Sequence, residues 1–218
     1  MKNIHMLSIR KFMLLLGVLY AGQAYSQTIV NDFQTRTELR ISLKPVDKVT
    51  LTLIPEVRLD ESFTADKYLL ESRLTYKPIK GFSLGGSYRF IVNPRDENPT
   101  EYLHRFALYA KYAHRIQRWE PSLRIKYTNY TEEVSNGEFF RYRARLKYDI
   151  KNCKLTPFIS AEGFHDLSAN EMYKMRYALG AGYKLNKKNS INIGYMLDYY
   201  MQEYRNKHII NIGYRLKF

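Results

Sequence analysis

The sequence predicts an all-β protein, an antiparallel up-and-down transmembrane β-barrel of about 10–12 strands behind an export signal. Three observations carry that prediction. Apolar and polar residues alternate at period two, aromatic residues bracket the apolar faces at a regular spacing, and the N-terminal segment has the three parts of a secretory signal.

The signal comes first in the chain. Lys2, Arg10 and Lys11 form a positive n-region and Phe12 to Leu19 a short apolar h-region. Ala24-Tyr25-Ser26 then places small residues at the −3 and −1 positions before Gln27. A spanning helix needs roughly 18 or more apolar residues, far more than this segment has. Residues 1–26 are therefore assigned to a cleaved signal peptide and 27–218 to the barrel, with the cell outer membrane as destination. No cysteine lies near the cleavage site, which excludes a lipoprotein signal. Cys153 is the only cysteine, so no intramolecular disulfide can form. Its setting, Lys151-Asn152-Cys153-Lys154, reads as a tight turn rather than a catalytic thiol site.

Alternation defines the strands. In residues 139–150, Phe140, Tyr142, Ala144, Leu146, Tyr148 and Ile150 share one face, and Arg141, Arg143, Arg145, Lys147 and Asp149 the other. A helix would mix these sets around its circumference; a strand separates them. Residues 206–218 repeat the pattern. Similar segments run over 31–43, 48–60, 66–77, 81–92, 102–114, 118–130, 154–164, 172–185 and 190–201. The mean hydropathy of −0.46 is no objection to a membrane barrel, because alternating faces cancel in an average. Eleven segments is an odd count, whereas single-chain bacterial barrels have an even number. Either residues 27–33 supply a twelfth strand or 31–43 lies outside the wall, leaving ten; twelve is the expectation.

The connections also alternate. Short turns at 44–48, 77–81, 115–118, 151–154 and 186–189 carry lysine and arginine in excess of one acid, Asp47. Longer loops at 60–66, 93–101, 131–138, 165–171 and 201–206 carry acids that include Asp60, Glu61, Asp66, Asp96, Glu97, Glu132, Glu133, Glu138 and Glu203. Short turns on one side and longer loops on the other are the outer-membrane arrangement.

Aromatic pairs identify the lipid-facing side. Tyr68 and Tyr76, Phe82 and Phe90, Trp119 and Tyr127, and Phe140 and Tyr148 are each eight residues apart. At about 3.3 Å per residue and a tilt near 40°, that spacing covers roughly 20–26 Å, the height of an apolar band with aromatic girdles. A soluble core would instead have to find a buried partner for each of many tyrosine hydroxyls. The chain ends on its strand, and Tyr214, Leu216 and terminal Phe218 resemble the C-terminal signal read by the barrel-assembly machinery. Expected partners are thus that machinery, outer-membrane lipid and lipopolysaccharide.

Several phrases, Leu84 to Phe90, Arg141 to Tyr148, Arg176 to Leu185 and His208 to Phe218, resemble an uncharacterised family of outer-membrane barrels catalogued as domain of unknown function 2490. The resemblance implies a barrel and a compartment; it implies no activity.

With the apolar faces in lipid, the opposite faces line a lumen through Arg36, Glu38, Arg40, Glu56, Arg58, Glu71, Arg73, Arg89, Arg105, Arg124, Arg141, Arg143, Arg145, Glu162, Arg176 and Arg215, together with Lys111, Lys126 and Asn211. Such dense charge requires water or partners. Two readings follow: a salt-bridge network that fills a small barrel, or a narrow water-filled pore favouring anions. The alternative class is a small outer-membrane hydrolase or acyl transferase, with His104, His165 and Asp166 at the extracellular rim, near Ser168. No metal or cofactor motif is present, no calcium-loop spacing appears among the loop acids, and no phosphate loop or nucleophile elbow occurs. The formal charge is +14, or +11 without Lys2, Arg10 and Lys11. It does not indicate nucleic-acid binding, because arginines and aromatics fall on opposite strand faces and a base-stacking groove needs them together.

Overall fold

A computed structural model describes residues 29–95, 99–129 and 137–218. The signal-peptide assignment lies outside these residues, as do the loop acids Asp96, Glu97, Glu132 and Glu133. Eleven strands and no helix occur among the described residues. They are β1 (Val30–Leu43), β2 (Val49–Leu59), β3 (Ala65–Tyr76), β4 (Phe82–Asn93), β5 (Glu101–Ala113), β6 (Trp119–Thr128), β7 (Phe139–Tyr148), β8 (Leu155–Asp166), β9 (Glu171–Lys184), β10 (Asn189–Tyr200) and β11 (Arg205–Lys217).

Within the compact unit Asn31–Phe218, each strand pairs antiparallel with its sequence neighbour and the sheet closes through β1 and β11. An odd number of alternating strands forces the closing pair to run the same way. The contacts agree: near both strand starts Arg205 Nε donates to Asp32 Oδ2 at 2.6 Å, and near both strand ends the Phe218 N–H donates to the Ser42 carbonyl at 2.9 Å. This corrects the expectation of twelve strands. Residues from Val30 onward belong to β1 itself, and a parallel seam closes the ring with an odd count. Closure removes the unpaired edges an open sheet would expose.

The two faces of the wall follow the alternation. Leu123, Ile125, Leu108, Ile159, Leu179, Ile193 and Ile210 point outward and are more than half exposed. The inner face holds Arg58, Glu71, Glu162, Lys174 and Asp198, each less than a tenth exposed. Apolar side chains therefore lie outside and charges inside, the reverse of a soluble barrel. Aromatic rings pair across strands at both ends of the outer face: Trp119 with Tyr148 at 4.5 Å between centroids toward one end, Tyr127 with Phe140 at 5.9 Å toward the other.

Six described connections have one residue in the left-handed region: Lys48 in the first, Phe63 in the second, Gly81 in the third, Gln117 in the fifth, Asn152 in the seventh and Asn170 in the eighth. Glycine is needed at 81, where φ is 84° and a Cβ would meet the Ala113 carbonyl oxygen at 2.6 Å. The end carrying the odd-numbered connections is called the turn end below, the other the loop end. Loop asymmetry is weaker than the sequence suggested. Connections 167–170 and 201–204 are as short as turn 185–188, and only 94–100 and 129–138 exceed the longest turn, 149–154. The wall continues past residue 164, the expected end of its segment. Alternation in β8 runs unbroken to Asp166, the register shift opposite Phe164/His165 placing its extra residue, Tyr173, on β9, and the Asp166 carboxylate closes the next turn by accepting the N–H of Ser168 (2.8 Å) and of Ala169 (3.2 Å). Asp149 in the turn 149–154 also joins Asp47 as an acid at the turn end.

Three inward glycines lie under two aromatic rings. The Tyr109 ring lies over Gly85, and its hydroxyl meets Thr75 Oγ1 at 2.5 Å. Phe158 lies over Gly180 and Gly194, where a Cβ on Gly180 would come within 2.8 Å of the ring and 2.4 Å of the Ile193 carbonyl oxygen. Gly180→Ala should therefore cost about 1–3 kcal/mol through forced displacement of ring and backbone. Gly86→Ala, whose Cβ would meet only the Leu108 side chain at 3.4 Å and the Ala107 carbonyl oxygen at 3.7 Å, should be close to neutral. Thermal unfolding in detergent compares the two, and equal midpoints would refute the packing role of Phe158.

Candidate functional site

Inward positions differ in size between the two ends. Toward the loop end they are large: Ile54, Leu69, Ile91, Phe139, Phe164, Tyr200 and Ile209 are almost inaccessible and pack among charged side chains. Toward the turn end many are small or thin, namely Ser42, Thr50, Thr52, Thr75, Ser83, Thr156, Gly182 and Ser190, with Tyr109 and Phe158 as the rings among them. The space this leaves is a cavity of about 900 Å³ at the turn end, ringed by Lys44, Lys77, Arg118, Lys187, Lys188 and Lys217. It continues into a smaller cavity of about 230 Å³, with Arg40, Arg124, Lys126, Arg143, Arg145 and Arg215 lining both.

Carboxylates organise the deeper charges into three groups. Glu71 pairs with Arg73 and, at 2.5 Å, with Arg89; Glu56 pairs with Arg58 at 2.7 Å and reaches Arg89 at 3.8 Å. Glu162 accepts from Arg124 at 2.5 Å and from Arg141 at 3.1 Å. Asp198, fully buried, accepts from Arg176 at 2.5 and 2.6 Å and pairs with Lys174 at 3.1 Å. Removal from water makes such pairs costly unless every partner is in place. Rings cover part of what remains: Arg141 sits 4.2 Å above Phe164 and Arg145 3.7 Å above Phe158.

Strand register leaves other cations facing one another. Lys111 is opposite Arg124, Arg124 opposite Arg143, and Lys126 opposite Arg141. Like charges directly opposite destabilise a sheet. Here β5, β6 and β7 form a continuous basic wall. Nearer the turn end, Glu120 is held by Lys147 at 2.7 Å and by Arg115 at 3.4 Å.

The family model described as a protein of unknown function, DUF2490, matches residues 33–208, from β1 into the first, loop-end residues of β11. The chain belongs to this family. No curated protein matches it. The DUF2490 match takes in three of the four phrases that carried the resemblance and stops at His208, where the fourth begins.

In this DUF2490 barrel, fifteen of the sixteen charged residues named for the lumen line the smaller cavity, and the remaining one, Glu71, is buried beside it. The sequence reading missed Lys174 and Asp198. Their parity with Arg176 and Asn192 was the available signal. It also missed the inward apolar side chains, because each face was classed by its majority polarity.

The rim residues do not assemble. His104 lies opposite Phe90 on the outer face, where its Nδ1 meets the Tyr88 hydroxyl at 2.6 Å. His165 is opposite outward-facing Phe140, whereas Asp166 is opposite Phe139, which is fully buried in the interior. Neighbours on one strand thus point to opposite faces, and the Asp166 carboxylate is occupied by the turn described above. The girdle residues Tyr68, Tyr76, Phe82, Phe90, Trp119, Tyr127, Phe140 and Tyr148 occupy outward register positions near strand ends. At the C-terminal strand, Tyr214 is outward beside Ile191, its hydroxyl donating to Asn189 Oδ1 at 2.8 Å, and the Phe218 ring is 63 % exposed. Among the described residues, no group of three or more histidine, cysteine, aspartate or glutamate side chains could hold a metal ion.

Proposed function

We propose that this protein is an outer-membrane barrel whose loop-end half is filled and whose turn-end half is a basic chamber open to the periplasm. One observation carries the reading: the gradient of inward side-chain size, from Phe139, Tyr200 and Ile91 at one end to Ser42, Ser83 and Gly182 at the other. A ring of eleven strands is below the ~16 at which wide channels become routine. The apolar outer band supports a lipid setting, with lipopolysaccharide meeting the loop end. Tyr214, Leu216 and Phe218 are the residues offered to the assembly machinery.

Filling favours a closed barrel over an anion-conducting pore. In planar bilayers with molar potassium chloride, the purified protein should show no sustained conductance steps. Stable open channels with an anionic reversal potential would replace this reading by the pore. The location is tested by fractionation and by heat-modifiable gel mobility; a freely soluble mature protein would overturn it.

A further inference from the structure

We propose that the turn-end chamber binds a multiply charged, phosphoryl-bearing anion between Arg143 and Arg145 of β7, Lys111 of β5, Lys126 of β6 and Arg215 of β11. The proposal rests on the chamber reading above and names its occupant. All five side chains line the larger cavity. None makes an ion pair with a described carboxylate, although Lys126 is only 7 % exposed and Arg143, Arg145 and Arg215 are partly buried. The nearby acids are engaged: Glu162 accepts from Arg124 and Arg141, and Glu120 from Lys147. Cations withdrawn from water without a direct ion pair are expensive, and the register that sets Lys111, Arg124 and Arg143 side by side adds repulsion. An anion in the chamber relieves both.

The donor set selects among anions. The Arg145 guanidinium is held over Phe158, and its Nε, like that of Arg124, is buried with no hydrogen-bond partner among the described residues. Guanidinium forks match phosphate oxygens in pairs, and a compact carboxylate would neutralise only one of the five charges. Arg40 and Arg215 lie within electrostatic reach of Arg145 from the facing wall, so charge converges from both sides. Hydroxyls of Thr156 and Ser190 and the Asn192 amide add neutral donors on the same lining. A chamber of about 900 Å³ admits a diphosphate with an organic group attached.

Calorimetric titration of the folded, detergent-solubilised protein with pyrophosphate should show saturable binding. R143Q/R145Q should weaken it by about tenfold or more, the effect of losing charge-assisted hydrogen bonds. K187Q/K188Q, at the mouth, should weaken it less than about threefold. Heat-modifiable mobility checks that each variant is folded, and R215Q on the facing wall carries the same expectation should R143Q/R145Q not fold. Non-saturable uptake, or equal affinity in wild type, R143Q/R145Q and R215Q, overturns the site. Competition by dihexanoyl phosphatidic acid supports the site with a lipid headgroup as source; its failure to compete supports a soluble phosphate. Saturable binding to a barrel that conducts in bilayers would keep the site and sink the closed-barrel reading. A non-conducting barrel that ignores pyrophosphate would do the opposite.

Discussion

Asp198→Asn should destabilise the folded barrel by about 3–5 kcal/mol, the cost of breaking a buried ion pair by removing its charged acceptor. The side chain is fully buried in β10, bonded twice to Arg176 and once to Lys174, itself 1 % exposed. Asparagine keeps the volume and one acceptor oxygen but loses the charge that faces Arg176 and Lys174. Replacing the group together, as Asp198→Leu with Lys174→Met and Arg176→Met, should recover much of the loss, since apolar residues of similar size often match a buried ion pair. Urea-dependent unfolding in detergent, followed by gel mobility, measures both. A loss under about 1 kcal/mol for Asp198→Asn would class the cluster with water-screened surface pairs and contradict a closed loop-end half.

On the proposed membrane setting, Leu123→Arg should cost about 2–4 kcal/mol in lipid vesicles, the penalty for arginine on a lipid-facing wall near the bilayer midplane, and Trp119→Arg near the edge much less. Leu123 lies midway along β6, 65 % exposed, between Tyr112 and Ala144 on the neighbouring strands. In water both changes would be nearly neutral, as surface substitutions usually are. The depth dependence is therefore the informative quantity. Equal, small effects at 119 and 123 would remove the bilayer from the account.

The wall was legible because strand periodicity is a local property. In β7, Arg141, Arg143 and Arg145 can be assigned to one face without knowledge of any other strand, and the pairing register bears that out. Eleven segments were countable for the same reason. Closure is not local. Whether β1 meets β11 depends on the whole ring, and a rule about even counts pointed to twelve. The filled half was missed for a related reason. Ile54, Leu69 and Ile91 stand among polar residues on the inner face, and each alone looks like a minor irregularity. Only the pairing register of β3, β4 and β5 brings Leu69, Ile91 and Leu103 into one cluster. The His165–Asp166 site failed on a simpler point. Adjacency in sequence within a strand separates side chains, and β8 continues through His165 and Asp166 instead of ending before them.

The parallel seam also dictates an order of assembly. Every other pairing joins strands linked by one short connection and can form as a hairpin, at small entropic cost. Arg205 and Asp32 are 173 residues apart in the chain. Contacts of such separation are the slowest to gain, because the loop entropy is lost before they contribute. Ring closure is thus the last event, and until it occurs the ribbon carries two free edges able to pair with another copy. Arg205, Asp32, Ser42 and Phe218 mark the line along which the competition between a finished monomer and an aggregating sheet is decided.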